Sequence, residues 1–122
     1  MANSATLVST ITRRGKATVY GYKVVIDTTG ADLTIRTPTG VAKIFLVGAW
    51  ISDGTAMNIT FKSGSTTLCI PELAANDGLQ VSVPCGDVDS FILATESAAA
   101  LVIQSSGALT SGILFVAEAV EL

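Results

Sequence analysis

The chain has 122 residues, of which 49% are hydrophobic and 14% are charged, with a formal net charge of −3 and no histidine. This length predicts one domain that needs neither a metal nor a disulfide for its stability. The absence of histidine excludes hydrolases that use histidine as the base, and scattered basic residues on a net acidic chain do not form the dense basic face of a nucleic-acid-binding protein.

The low charged content predicts association. Charged residues make up about 25% of a typical domain, and isolated soluble domains rarely leave large apolar patches bare. All seven basic residues lie at or before Lys62, whereas residues 63–122 carry seven acids and no base. We expect solvated strand faces and complementary contacts between subunits, in preference to an anion site.

The first sixteen residues, MANSATLVSTITRRGK, differ from the rest. Their basic residues follow the apolar ones, which is the wrong order for a signal peptide, and no apolar run approaches the roughly 20 residues that span a bilayer. We expect a soluble protein made in the cytoplasm, with no membrane partner. Residues 1–16 either pair as an edge strand or wait for a partner, and we favour an N-terminal arm ahead of a domain at 17–122. Its candidate contact residues are Arg13, Arg14 and Lys16.

Strand patterns follow along the chain, and helical periodicity is nearly absent. Apolar and polar residues alternate in LTIR (33–36), MNITFK (57–62) and LQVSV (79–83), as in strands with one buried face. Glycine, asparagine and aspartate punctuate the chain at short intervals, including SGS at 63–65, which predicts a hairpin turn. Such spacing predicts an all-β antiparallel sandwich, for which we prefer a jelly-roll topology to an immunoglobulin-like one.

Two segments, KIFLVGAWI (43–51) and GILFVAEAV (112–120), are apolar at both alternating sets of positions. This pattern indicates a central place in a sheet or a subunit contact. Phe45, Trp50 and Phe115 hold most of their aromatic area and are candidate interface residues. If the Trp50 ring lies in the core, Trp50→Ala should cost about 3 to 5 kcal/mol; unchanged melting with lost association would place it at an interface.

The residues offer little for catalysis or ligand binding. Asp87 and Asp89 are best interpreted as solvated loop acids, because a full calcium ligand set is missing. Cys69 and Cys85 lack the partners of a zinc site, although a bend at AANDGLQ would allow a cross-strand disulfide. Asn58 matches a glycosylation acceptor by chance, since it lies within a strand pattern. We predict no enzyme activity, cofactor, metal or small-molecule substrate.

The order of turns and apolar positions between about residues 30 and 118 resembles small virion proteins of tailed bacteriophages. The matching features are AK-I, F-SG-T-L, LAA with a following glycine, and T-ES-AALVI-SSGA-L-G-L-F. They fall at Ala42 to Ile44, Phe61 to Leu68, Leu73 to Gly78 and Thr95 to Phe115. The chain departs from the pattern at Asp77, which replaces a turn glycine, and at PCGDVDS, which replaces an aromatic-rich segment.

The chain is therefore similar to the jelly-roll capsid decoration, or cement, proteins. The resemblance implies a homotrimer on the outer capsid surface that clamps neighbouring major capsid proteins. Two alternatives stay open: a tail or baseplate module that binds a receptor or carbohydrate, and a non-viral carbohydrate-binding or adhesion sandwich.

Overall fold

The structure, a computed structural model, describes residues 3–12, 18–26, 29–52, 56–73, 78–82 and 91–120. These residues form eleven strands and no helix. In chain order the strands are β1 (Ser4–Thr12), β2 (Thr18–Ile26), β3 (Leu33–Arg36), β4 (Lys43–Ser52), β5 (Met57–Ser63), β6 (Thr66–Cys69), β7 (Glu72–Leu73), β8 (Gly78–Ser82), β9 (Leu93–Ala94), β10 (Leu101–Ser105) and β11 (Leu109–Ala119).

The strands make two antiparallel sheets. Sheet A has the order β1-β2-β11-β4-β8, and β9 also pairs with β4; sheet B has the order β3-β10-β5-β6, and β7 also pairs with β5. The prediction of an all-β antiparallel sandwich is confirmed. The two doubly apolar segments become β4 and β11, which are neighbours in the interior of sheet A. Of the roles left open for them, the central sheet position is the one observed.

The main core lies between the sheets. Alternate residues of the strands point into it, and the largest fully buried side chains include Phe61, Ile44 and Leu114. Ile59 and Phe61 of β5 alternate with Thr60 and Lys62, as the sequence pattern predicted. Burial of this apolar area is the main favourable term in folding.

A β-bulge in β4 interrupts its alternation. Phe115 of β11 pairs with Gly48, but the next residue, Val116, pairs with Leu46, so Val47 has no partner in that ladder. An extra residue reverses the faces of the positions that follow it. Leu46 faces the main core, and beyond the bulge Ala49 and Ile51 also do so, which leaves Trp50 on the opposite side.

Residues 4–12 pair with β2 as strand β1, the edge strand of sheet A. This is the edge-strand alternative considered for the N-terminal segment. The boundary between residues 16 and 17 stays a prediction, because residues 13–17 lie outside the described part of the chain.

The SGS hairpin is confirmed: Gly64 and Ser65 link β5 to β6, and Gly64 has φ of 60°. Glycine adopts this left-handed conformation at little cost, which a two-residue hairpin loop requires. The AANDGLQ segment is different, since β7 pairs with β5 in sheet B and β8 pairs with β4 in sheet A. The two strands flanking it are therefore not hairpin partners, so the hairpin on which the possible disulfide depended is wrong. Cys85 itself lies outside the described residues.

Candidate interaction surface

A second apolar cluster lies on the side of sheet A that faces away from sheet B. Its buried members are Val19, Phe45, Val47 and Ala117, with Ala94, Phe115 and Ala119 packed against them. We call this set of residues, together with the exposed Trp50 and Phe91 beside it, the outer patch. An outward face of a sheet in a soluble sandwich normally carries polar residues, so the outer patch is a departure from that rule.

The positions of the patch follow from strand register. Ala117 of β11 lies opposite Phe45 of β4 and Val19 of β2. Val47, the extra residue of the bulge, projects to this same face of the sheet. β4 therefore contributes Phe45 before the bulge, Val47 at the bulge and Trp50 after it, all on one face. Three strands that are distant in sequence therefore build one continuous apolar surface.

Aromatic rings cover much of the patch. Phe45 and Phe91 meet edge to face, with ring centroids 5.0 Å apart and planes at 61°, a favourable geometry for an aromatic pair. The Phe115 ring lies over Gly21, where an added Cβ would come 3.1 Å from Phe115 Cε1 and would collide with Ser9 Oγ. The glycine thus leaves room for the ring to lie flat against the sheet.

The three aromatic residues that the sequence singled out lie on the same face, but they differ in access. Phe45 is only 4% exposed, whereas Trp50 is 61% exposed. The core placement considered for Trp50 is therefore wrong, because the bulge turns the ring outward. Phe115 is half-buried, and its position along the sheet is between those of Phe45 and Trp50. Arg13, Arg14 and Lys16 lie outside the described residues, so their role stays a prediction.

Other members of the patch were missed at the sequence level. In the β2 sequence TVYGYKVVI, the positions that alternate with the core residues include Val19 and Val25 as well as the charged Lys23, and this partly apolar pattern is the signal that could have found Val19. Phe91 gave no such signal, because it precedes a two-residue strand and reaches the patch only through the pairing of β9 with β4.

Among the strands of sheet A, the charged side chains on the side of the outer patch are two lysines. The strands of sheet A contain two lysines, Lys23 and Lys43, and a single acid, Glu118. Glu118 points toward sheet B, whereas Lys23 and Lys43 alternate onto the patch side. Neither lysine has an ion-pair partner among the residues that the structure describes.

Glu118 belongs to a polar joint between the two sheets. Arg36 Nε of β3 is 2.6 Å from Glu118 Oε1, the Thr39 backbone N–H donates to Glu118 Oε2 at 2.9 Å, and the Arg36 guanidinium donates to the Tyr22 hydroxyl at 2.8 Å. The guanidinium also stacks over the Tyr20 ring, with Cζ 3.6 Å from its centroid. A planar cation held by both hydrogen bonds and an aromatic face is fixed in position.

Charge pairing in this joint shifts both pKa values. Burial alone would raise the pKa of Glu118, but the Thr39 amide and Arg36 outweigh it and lower that pKa. Burial alone would lower the pKa of Arg36, but its bonds to Tyr22 and Glu118 raise it. Both groups are therefore charged at neutral pH, and the joint is structural in character.

The outward face of sheet B is largely polar. Asn58, Thr60 and Lys62 of β5 alternate with the core residues, and Lys62 Nζ is 2.9 Å from Asp32 Oδ1. A shallow hollow of about 260 Å³ opens on this face. We call it the sheet B depression; it is lined by Gly30, Asn58, Thr60, Ile70, Gln104, Ser105 and Ser106.

No three His, Cys, Asp or Glu side chains in the described ranges lie together as metal ligands. Cys69 is a free, exposed thiol, and partial burial raises its pKa. Cys85, Asp87 and Asp89 lie outside those ranges. Within the same part of the chain, no helix has the length and apolar character needed to cross a membrane.

Comparison with protein-family models, curated proteins and solved structures gave no match for this chain.

Proposed function

We propose that this chain is a structural virion protein: a capsid decoration, or cement, protein that binds the outer surface of a phage head as a homotrimer. In this role it stabilises contacts between neighbouring major capsid proteins and performs no chemistry. It is made in the host cytoplasm and acts on the assembled particle.

The observation that carries the proposal is the outer patch. A sandwich of this size already has one apolar core between its sheets, and a second apolar surface on an outward face is typical of protein association. Trp50 and Phe91, which are 61% and 46% exposed, are the kind of aromatic residues that anchor interfaces.

The order of the strands supports the jelly-roll part of the proposal. Setting the short strands and β1 aside, the sheets read β2-β11-β4-β8 and β3-β10-β5-β6. The chain thus crosses repeatedly from one four-stranded sheet to the other, and the first and last of these strands are neighbours. That arrangement is typical of the jelly rolls found in capsid proteins.

A cement role also agrees with elementary energetics. An interface of standard size buries about 1,600 Å² in total, and a subunit that touches several shell proteins must lose these contacts before the shell can separate. Many copies repeat the effect over the particle surface. Arg13, Arg14 and Lys16 are proposed to add charged contacts to the shell.

The copy number per particle tests the proposal. Virions that contain this chain are analysed by quantitative gel and cryo-microscopy, and we expect copies comparable in number to the three-fold positions of the shell. Particles without the protein should lose integrity at lower temperature. A few copies per virion, confined to the tail, would contradict the decoration role.

The sheet B depression favours a second candidate, a receptor-binding or carbohydrate-binding module of a tail or baseplate. The Asn58 and Gln104 side chains carry amides of the kind that bind sugar hydroxyls, although no aromatic residue lines the depression. Such a module should bind host cells or glycans as an isolated protein, and Asn58→Ala should weaken that binding. If the chain is a decoration protein, the wild type and the Asn58→Ala variant should bind heads equally well.

A further inference from the structure

The outer patch is poorly suited to pairing with an identical patch. Lys23 is exposed and Lys43 half-buried on its side of sheet A, and the strands of this sheet place no acid there. If two patches met face to face, two lysines from each copy would enter the interface, and the strands of sheet A would place no carboxylate opposite them. Like charges brought together across an interface oppose association.

The opposite sheet has the complementary charge. Of the charged residues in the strands of sheet B, Arg36 is paired with Glu118 and Lys62 with Asp32. The remaining one is Glu72 of β7, which is exposed and has no ion-pair partner among the residues described. Sheet A therefore presents unpaired cations, and sheet B presents an unpaired carboxylate.

An apolar contact lies beside that carboxylate. Ile70 is 52% exposed and precedes Glu72 by two residues, at the edge of sheet B where β6 and β7 meet. Ile70 also lines the sheet B depression. This edge thus combines an apolar side chain, an acid and a hollow, whereas the outer patch combines apolar side chains, cations and the projecting indole of Trp50.

We propose that a second copy of this chain covers the outer patch and does so head to tail, with its Ile70–Glu72 edge and sheet B depression against the patch of the first copy. Trp50 is the side chain that enters the depression, and Lys23 and Lys43 provide the positive charge that faces Glu72. Contacts between two different surfaces close into rings when the rotation between copies allows it, and give open filaments when it does not. The number of three subunits rests on the proposed function, whereas the head-to-tail contact does not depend on a capsid.

Two variants of the full chain test the contact, one for each surface. The patch variant is Trp50→Glu, and the edge variant combines Ile70→Lys with Glu72→Lys. All three side chains are exposed, so each variant should keep the wild-type circular dichroism spectrum and melting curve. Val41→Glu, at an exposed position in the loop between β3 and β4, is the matched control and should associate as the wild type does.

Association is measured by sedimentation velocity for each protein alone and for an equimolar mixture. A head-to-tail contact predicts that neither variant associates alone, because each lacks one of the two surfaces. The mixture should give a 1:1 heterodimer, since the intact edge of the patch variant fits the intact patch of the edge variant. In a background that lacks the native Cys69 and Cys85, cysteines introduced at Trp50 and Ile70 in separate chains should then cross-link between copies.

Three results would overturn the contact: an edge variant that associates like the wild type, a mixture that stays monomeric, or a wild-type protein that is itself monomeric. Binding of the same proteins to undecorated heads is scored separately. A monomer that binds heads removes the head-to-tail contact and leaves the decoration role, whereas a ring that binds no heads leaves the contact and removes that role.

Discussion

The two outward faces of this sandwich are built on the same alternating principle but differ in chemistry. On sheet B, Asn58, Thr60 and Lys62 alternate outward and meet water or a counter-charge. On sheet A, Val19, Phe45 and neighbouring residues alternate outward and pack on one another. The difference shows where the surplus hydrophobic content of the sequence is placed: on the outward face of sheet A, whereas the outward face of sheet B is largely polar.

Phe45→Ala gives the largest expected difference between the two faces. Phe45 is as buried as a core residue although it lies outside the main core, so its truncation should lower the free energy of unfolding by about 3 kcal/mol. Thr34→Ala, at an exposed position of β3 in sheet B, is the control and should change it by less than about 0.5 kcal/mol. Urea unfolding measures both, and equal small effects would show that the patch adds nothing to stability.

Gly21→Ala tests how closely the patch is packed. The new methyl group would collide with Ser9 Oγ and press on the Phe115 ring, and such overpacking should cost about 2 kcal/mol. The double variant with Ser9→Ala removes the nearer contact and should recover part of this loss. Thermal melting checks both proteins; a stabilised Gly21→Ala would mean that the ring does not cover this position.

Glu118→Gln tests the polar contacts that Glu118 makes between the two sheets. Charged hydrogen bonds stabilise this place, whereas apolar packing stabilises the outer patch. Loss of the charged bonds to Arg36 and Thr39 should reduce stability at pH 7 by about 1 to 2 kcal/mol. Because folding lowers the pKa of Glu118, its contribution is present above the unfolded pKa of about 4.3 and is lost as the pH falls through the folded value.

The difference in unfolding free energy between wild type and Glu118→Gln should therefore shrink on going from pH 7 to pH 3. Denaturant curves at the two pH values measure it, and the subtraction cancels the titration of the other acids. A difference that is the same at both pH values would contradict the assigned role of the carboxylate.

Trp50→Ala has the smallest expected effect on the folded monomer. Its ring is mostly exposed, so the free energy of unfolding should change by less than about 0.5 kcal/mol when measured at concentrations where the protein is monomeric. Val41→Ala is the matched control at another exposed apolar position. A cost of several kcal/mol would mean that the indole is covered within its own chain.

Local sequence was sufficient for most of the fold. The alternation in β5 and the SGS turn each have a short-range cause, namely one buried face and a glycine at φ of 60°. The apolar pattern on both faces of β4 and β11 predicted either a central place in a sheet or a subunit contact, and the central place is the one observed. The subunit contact stays a prediction.

The features of the fold that the sequence did not predict depend on contacts between residues that are distant along the chain. Strict alternation from Ile44 would turn Trp50 into the core, and the bulge at Val47 that reverses it is visible only in the pairing with β11. Phe91 reaches Phe45 through tertiary structure alone. The crossing from β7 in sheet B to β8 in sheet A likewise depends on which partners the strands find.

The position of β11 has a consequence for biosynthesis. It follows every other described strand in the chain, yet it lies between β2 and β4 in the interior of sheet A. Until residues 109–119 have been made, β2 and β4 lack the strand that lies between them. The unpaired backbone groups along their facing edges can then pair wrongly with other nascent chains. Sheet A can close only after residues 109–119 have been made, so the sandwich cannot finish folding while its earlier strands are being synthesised.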